Sequence, residues 1–377
     1  MKQARPADAV KILQLYFDIY GGSYPDPRMT DFLTLNTVLN SEDYLWIVEE
    51  TADQIVGSVV YQIDTKNKLA KAFGAVVRPE MRGHALTEKL MTYGHDILVN
   101  QKHAIEVIYA TTRTVSFAPQ KLTRHLGYKK LGIFPNIHRT VESETHALTA
   151  AYTPQSLQKR FTDFQLHPKL ARLYSIVQKE CELQPLKIEN LKTATASSSA
   201  DPTSIDFEAI QAPKFVRHQF SAERDNVKDH HWFFPFIEPN LMLTNEDSSI
   251  HVFVNFSNVD QYCAIIAIRD INKIGYKTIF ESACKVLRGL GVRYMEFIIR
   301  ADESAKIDTA FASRFIPCAY FPAMQLEGAQ RFDYVVFSRS FEILDFKGLK
   351  FEGVNKDYLQ QYYSFWEETA YESVFID

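Results

Sequence analysis

The sequence predicts an α/β (α+β) fold, a mixed central sheet with flanking helices, and predicts that this arrangement is duplicated in tandem. Three observations carry the prediction. Segments of strand length alternate with segments of helical period in the order helix, three strands, helix, strand, helix, strand. The same order recurs more weakly after residue 205. Between the halves lies KTATASSSADPTS, 192–204, which holds no large apolar residue and so reads as a flexible linker.

The elements follow in order. Residues 7–20 place Val10, Leu13, Phe17 and Tyr20 at helical spacing. The turn-rich YGGSYPDP, 20–27, ends that helix. Strands are expected at 44–50, 55–63 and 71–77, and TADQ between the first two has the length of a hairpin turn. Residues 87–99 form an amphipathic helix with Leu90, Met91, Ile97 and Leu98 on one face. A strand at 105–111 and a short helix at 119–126 follow, with Gly127 as its C-cap, and 128–134 returns to the sheet. A meander feeding a βαβ crossover makes the sheet mixed.

In the second half, strands are expected at 250–255 and 261–268, a helix at 276–289 and a strand at 292–300. Residues 311–321 then lead to a strand at 334–339. RHLGYKKLGIFPN ends on Phe134-Pro135 and ASRFIPCAYFPAM carries Phe321-Pro322 in the same place. Similar elements at similar spacing point to an internal duplication, the alternative being two unrelated α/β domains. The expected division is 1–150, a helical connection at 151–191, the linker 192–204, and 205–377. An aromatic packing helix at 358–368 closes the last unit.

Composition narrows the function classes. A chain of 377 residues suits two cores better than one. With 42 Lys+Arg against 46 Asp+Glu it lacks the basic footprint of a nucleic-acid binder. No apolar run reaches about 18 residues, so no membrane span is expected, and MKQARPADAVKILQLYF lacks the pattern of a signal peptide. Cys181, Cys263, Cys284 and Cys318 form no CxxC pair, so buried reduced thiols, no metal and a cytoplasmic location are expected.

The chemistry concentrates in VVRPEMRGHALTEKLM, 76–91, which reads as strand, polar turn and helix. A helix N-terminus presents unpaired N–H groups and about half a positive charge. Gly83 and Ala85 are small enough to let an anion approach those groups, and Arg82 adds a cation suited to phosphate oxygens. The alternative is a strand-to-helix turn that binds nothing.

This passage resembles the signature of the GNAT superfamily of acyl-CoA-dependent N-acyltransferases, Gln/Arg-x-x-Gly-x-Gly/Ala after Val-x-Pro. Val77-Arg78-Pro79 and Arg82 match it, whereas Ala85 and Thr87 stand where the family usually has glycine and glycine or alanine. Leu126-Gly127-Tyr128 resembles a second landmark of the family. The resemblance covers roughly residues 1–140 and implies a GNAT-type sheet with acetyl-CoA, or another acyl-CoA, as co-substrate. It implies cofactor contacts at Val76, Val77, Arg82, Gly83, His84, Ala85, Leu86 and Thr87.

YGGSYPDP and SFAPQKLTRHLGYKKLGIFPN also resemble a subset of two-domain GNAT-like proteins. The loop after the first helix roofs the acceptor pocket in that fold, which implies substrate contacts at Tyr20, Ser23 and Tyr24. GNAT chemistry uses a base near the fourth strand and an acid for the leaving thiolate. Strand 71–77 contains no carboxylate. Glu49 and Glu50, at the end of YLWIVEE, could face the cleft from a neighbouring strand, with Glu50 the expected base, the alternative being a solvated pair before the hairpin turn. Ser116 is expected to hold a water or the acceptor, and Thr123 occupies the position of the family's acid.

The second half reads RDINKIGYKT, 269–278, in the corresponding place and lacks the cradle. It is expected to complete the acceptor pocket or cover a sheet edge. The resemblance therefore implies an N-acyltransferase acting on an amine of a small molecule or protein, as a monomer or homodimer, without nucleic acid, membrane or metal. The alternatives are a non-catalytic GNAT-fold scaffold and an acyltransferase taking a longer or carrier-protein-bound donor.

Overall fold

In the computed structural model, the described residues are 1–24, 26–139, 143–190, 204–226, 230–232 and 236–375. The expected linker lies outside them except for Ser204. The first half runs β1 (Lys2–Gln3), α1 (Ala9–Tyr20), α2 (Phe32–Leu39), β2 (Tyr44–Thr51), β3 (Gln54–Asp64) and β4 (Leu69–Val77). It continues with α3 (Leu86–His95), β5 (Val107–Arg113), α4 (Ala118–His125), β6 (Lys129–Arg139) and β7 (Ser143–Tyr152). A connection follows of α5 (Pro154–Gln158), β8 (Gln165–Leu166), α6 (Ala171–Cys181) and β9 (Lys187–Ile188).

The second half runs β10 (Glu208–Ile210), α7 (Pro213–Asn226), β11 (His230–Trp232), β12 (Leu241–Thr244), β13 (Ile250–Ser257) and β14 (Tyr262–Asp270). It ends with α8 (Tyr276–Gly289), β15 (Tyr294–Arg300), α9 (Ser304–Ala312), β16 (Ile316–Glu327), β17 (Gln330–Ser340) and α10 (Asn355–Phe375).

Apolar alternation in each strand and the apolar faces of the helices make these elements, several of which, α2, α7 and β12 among them, are not expected from the sequence. Helix α1 turns Ala9, Ile12, Leu15 and Tyr16 to the core and leaves Val10 and Phe17 exposed, so its buried face lies beside the expected one. Strand β7 enters between β5 and β6, where no strand is expected from the sequence.

One sheet path joins both halves in the order β1-β2-β3-β4-β5-β7-β6-β16-β17-β15-β14-β13-β12-β10. Read inward from either end, the pairings are the same. Strands β4 and β5 run parallel around α3, as β14 and β15 do around α8. The neighbouring pairs β3·β4, β5·β7 and β6·β7 are antiparallel, and so are β13·β14, β15·β17 and β16·β17. Even the irregularities match. Strand β6 shifts register between Lys130 and Gly132 and between Phe134 and His138, and β16 shifts between Pro317 and Ala319 and between Phe321 and Gln325.

The halves meet where Gly132 pairs with Ala319. A Cβ on Gly132 would overlap the Ala319 backbone, so only glycine lets β6 and β16 approach here. A shared core continues across the seam, from Leu131, Ile133 and Leu148 to Phe297, Tyr320 and Phe337. Each half then reaches across. The fully buried Arg331 donates to Glu106 (3.0 Å) and to the Asn67 carbonyl (2.9 Å). Tyr358 of α10 likewise donates to the Lys130 carbonyl (2.8 Å), and in return Arg160, on the connection after the first half, binds Asp333 through two nitrogens (2.9 and 2.5 Å).

Candidate active site

Strands β4 and β5 pair only from Leu69↔Val107 to Ala72↔Ala110, and beyond that they part. Strand β4 carries one more residue than β3 between the pairs Ser58↔Val76 and Val60↔Phe73, and this bulge bends it away. Gly74 sits in the bulge at φ +61°, where a Cβ would strike the Met29 methyl at 2.5 Å. The Tyr16 hydroxyl donates to the Gly74 carbonyl (2.5 Å) and fixes the bend from α1. The last residues of β4, Val76 and Val77 among them, therefore pair with β3 on one edge and with no strand on the other, among the described residues.

The loop after β4 reaches α3 through two left-handed residues, Gly83 (φ +83°) and Ala85 (φ +54°). No backbone N–H from Gly83 to Glu88 finds a backbone carbonyl among the described residues, and no side chain caps the helix. Arg82, Gly83, His84 and Ala85 are exposed around these donors, while Leu86 is buried against β3 and Thr87 half-buried. Such a helix start suits a diphosphate.

The face of β4 and β5 opposite α3 carries Lys71, Phe73 and Tyr109, because strand residues alternate and Ala70, Ala72, Ile108 and Ala110 pack under α3. Tyr24 packs against Tyr16 (5.3 Å) and Tyr20 (4.8 Å), and burial pushes its phenol up to about 12. Arg28 lies 4.2 Å over the Phe73 ring and pairs with Asp26 (2.6 Å). Burial also raises the Tyr20 phenol, while Arg113 and Arg82 pull it down from the two sides of the fork. The cradle and the acceptor loop thus converge on one tyrosine.

Among the described residues Lys71 makes no hydrogen bond or ion pair, and desolvation lowers its pKa. The second half closes this face. Phe236 and Phe321 pack on Tyr109 at 5.8 and 5.6 Å, and buried Glu296 accepts from Tyr262 (2.7 Å) and Tyr294 (3.0 Å). At the open end, Arg113 grips Glu144 through Nε (2.8 Å) and a terminal nitrogen, and His146 Nε2 lies 3.5 Å from the same carboxylate. His146 and then Arg113 hold Glu144 at about 2, so it stays ionised.

Residues 9–128 match the family model described as the Acetyltransferase (GNAT) family. This stretch of the chain is a GNAT acetyltransferase domain. Among solved structures, the ribosomal-protein-alanine N-acetyltransferase from Brucella melitensis aligns at 16% identity and TM-score 0.36, covering 40% of this chain and 98% of that one. A spermidine N-acetyltransferase variant from Vibrio cholerae aligns at 16% and 0.35, over 40% and 93%. An aminoglycoside 6'-N-acetyltransferase from Enterococcus faecium aligns at 15% and 0.33, over 40% and 97%. No curated protein matches the chain by sequence.

Within the GNAT domain, the fork brings together Val76, Val77, Arg82, Gly83, His84, Ala85, Leu86, Thr87, Tyr20 and Tyr24. Ser23 lies on the same loop, but its hydroxyl donates to the Tyr20 carbonyl (2.6 Å) and serves the turn. Ser116 is half-buried before α4, with its carbonyl accepting from Gln120 (3.1 Å).

Two expected catalytic residues lie elsewhere. Glu50 sits on β2, two strands from the fork, bound by Lys11 and Lys2 at 2.7 Å each, and they hold it at about 2. A carboxylate so paired accepts no proton near neutrality. Thr123 is buried, and its hydroxyl turns back onto the Pro119 carbonyl (3.1 Å), away from the cleft. Arg113, Glu144, His146 and Lys71 are the polar residues that sequence reasoning missed. The alternation of Glu144 and His146 within SETHALTAAY, once read as a strand, places both on one face.

Proposed function

We propose that the chain transfers an acetyl group from acetyl-CoA to an amine of a small molecule or protein, with the cofactor in the fork of β4 and β5. The observation that carries this reading is the pairing of an open β4 edge with the unpaired N–H groups of residues 83–88. Bound there, acetyl-CoA supplies the activated acyl group. Arg82 and the start of α3 hold its diphosphate. The free N–H and C=O groups after Ala72 take the extended arm as a strand would.

Tyr20, Tyr24 and Phe73 enclose the acceptor on the opposite face. Glu144 orients His146, which takes the proton of the incoming amine at the mouth of the cleft. The second half, 205–377, is a repeat of the first unit that walls the acceptor face through Glu296, Tyr262 and Phe236. Positioning supplies much of the barrier reduction in such a site.

Calorimetry with acetyl-CoA and a thiol-release assay over a panel of primary amines test the reading. One acetyl-CoA bound per chain and amine-dependent thiol release are expected. A folded chain that binds no acetyl-CoA at millimolar concentration ends it.

A further inference from the structure

A second polar cleft, of about 680 Å³, opens in the second half between the C-terminal end of α8, the turn after α9 and the end of β17. It lies at the end of β15 opposite the β14/β15 opening, near Arg293 rather than Arg300. Lys285, Arg288, Arg293, Arg314 and Arg339 line it, and of these Arg293 pairs with Glu342 (3.4 Å). Lys285, Arg288 and Arg314 are exposed and make no hydrogen bond or ion pair among the described residues. Glu281, the one carboxylate on the lining, pairs with none of them among the described residues.

Arg339 is held in place from one side only. A terminal nitrogen donates to the Ser313 carbonyl (2.9 Å) and touches the Cys284 sulfur (3.7 Å), leaving its Nε and other terminal nitrogen without a partner among the described residues. Phe341 fixes the geometry further, with the guanidiniums of Arg288 and Arg339 each 5.2 Å from its ring centre. Like charges so placed repel, and a chain of net charge −4 has carboxylates enough to neutralise them. A second observation points inward. Ser313 is 1% exposed, and its hydroxyl, on the cleft wall, has no hydrogen-bond partner among the described residues.

We propose that this cleft is a binding site for a small molecule carrying two or more phosphate groups, separate from the fork of the GNAT domain. Planar guanidiniums take phosphate oxygens two at a time, and a multiply charged ligand offsets the repulsion among four cations at once. Ser313 supplies a neutral donor to an inner oxygen. A cleft lined by one chain fits a metabolite, and the acidic balance of the rest disfavours a long nucleic acid.

The test is calorimetric titration of the full chain, in an Arg82→Ala background so that the α3 cradle does not compete. The ligands are inorganic pyrophosphate, ADP and sulfate. One pyrophosphate or ADP per chain is expected, with Arg288→Gln/Arg314→Gln weakening each by about tenfold or more. Both side chains are exposed, and an unchanged melting temperature shows that the variant folds. Tighter binding of pyrophosphate marks a free phosphate compound as the ligand, and tighter binding of ADP a nucleotide. Absence of binding at millimolar ligand, sulfate binding as tightly as pyrophosphate, or binding unchanged in the double variant each overturns the proposal.

Discussion

The opening between β4 and β5 and its counterpart between β14 and β15 start from one geometry and end differently. In both, a short parallel pairing gives way after a bulge on the inner strand, near Gly74 in one and between the pairs of Phe253 and Val254 in the other. In the first half the freed edge of β4 stays open. In the second, β11 pairs with β14 over Ala267, Ile268 and Arg269. One donor at the entrance to α8 is taken as well, since Asp270 accepts from the Gly275 N–H (3.1 Å), whereas the N–H groups of residues 83–88 find no backbone carbonyl among the described residues. A splayed strand must satisfy its backbone groups from somewhere. In the proposed reading, one half leaves that task to acetyl-CoA, whereas the other assigns it to its own chain.

The comparison depends on both openings being carried by one joined sheet, and the seam can be broken. Gly132→Val would force a branched side chain into the Ala319 backbone and should cost at least about 3 kcal/mol, read by denaturant unfolding. A smaller loss would mean that β6 and β16 can separate without harm.

Next in size is the ionic tie across the same seam. Burial alone would raise the Glu106 carboxyl, but hydrogen bonds from Lys159 and Arg331 outweigh it and lower it from 4.5 to about 2. A folded-state value below the unfolded one means the stabilisation is complete above about 4.5 and disappears as pH falls toward 2. Glu106→Gln should therefore remove about 3 kcal/mol at neutral pH and flatten the stability profile over that interval. Thermal unfolding of both proteins from pH 2.5 to 7 checks it, within about the precision of such profiles.

The two openings are separated most directly by cofactor titration. Arg82→Ala should weaken acetyl-CoA about 10- to 100-fold, the range for one charged hydrogen-bond donor, while Lys273→Ala in the corresponding loop changes nothing. Two acetyl-CoA molecules per chain, or equal effects of both substitutions, would erase the difference between the halves.

Much of this was legible in the sequence, and what was hidden has physical reasons. The loop 76–91 announced itself because a strand, a small-residue turn and a helix leave a local signature. The equivalence of Phe134-Pro135 and Phe321-Pro322 was visible for the same reason, and both dipeptides begin the same register shift. Strand β7 was hidden, since SETHALTAAY is rich in alanine and its strand state comes from burial between β5 and β6. With it went Glu144 and His146. Glu50 misled because a carboxylate at a strand end looks available until Lys2 and Lys11 arrive from the N-terminus and α1. Pairings between residues distant in sequence leave no period to read.

The smallest effect concerns the motif glycine that the sequence lacks. Ala85 adopts φ +54°, ψ +25°, a conformation that costs an L-residue with a Cβ roughly 1–2 kcal/mol. Glycine there removes that strain but frees the unfolded chain by about 0.5–1 kcal/mol, so Ala85→Gly should stabilise the domain by about 1 kcal/mol or less. Lys273, at φ +52° in the second half, should respond to Lys273→Gly in the same way, because backbone strain does not depend on what the loop binds. The halves should then diverge in one respect. Relief of strain at Ala85 leaves the N–H groups of α3 better aligned and tightens acetyl-CoA slightly, whereas relief at Lys273 moves only the melting temperature. Equal shifts in acetyl-CoA affinity from the two substitutions would show that the cradle owes nothing to the left-handed turn at its entrance.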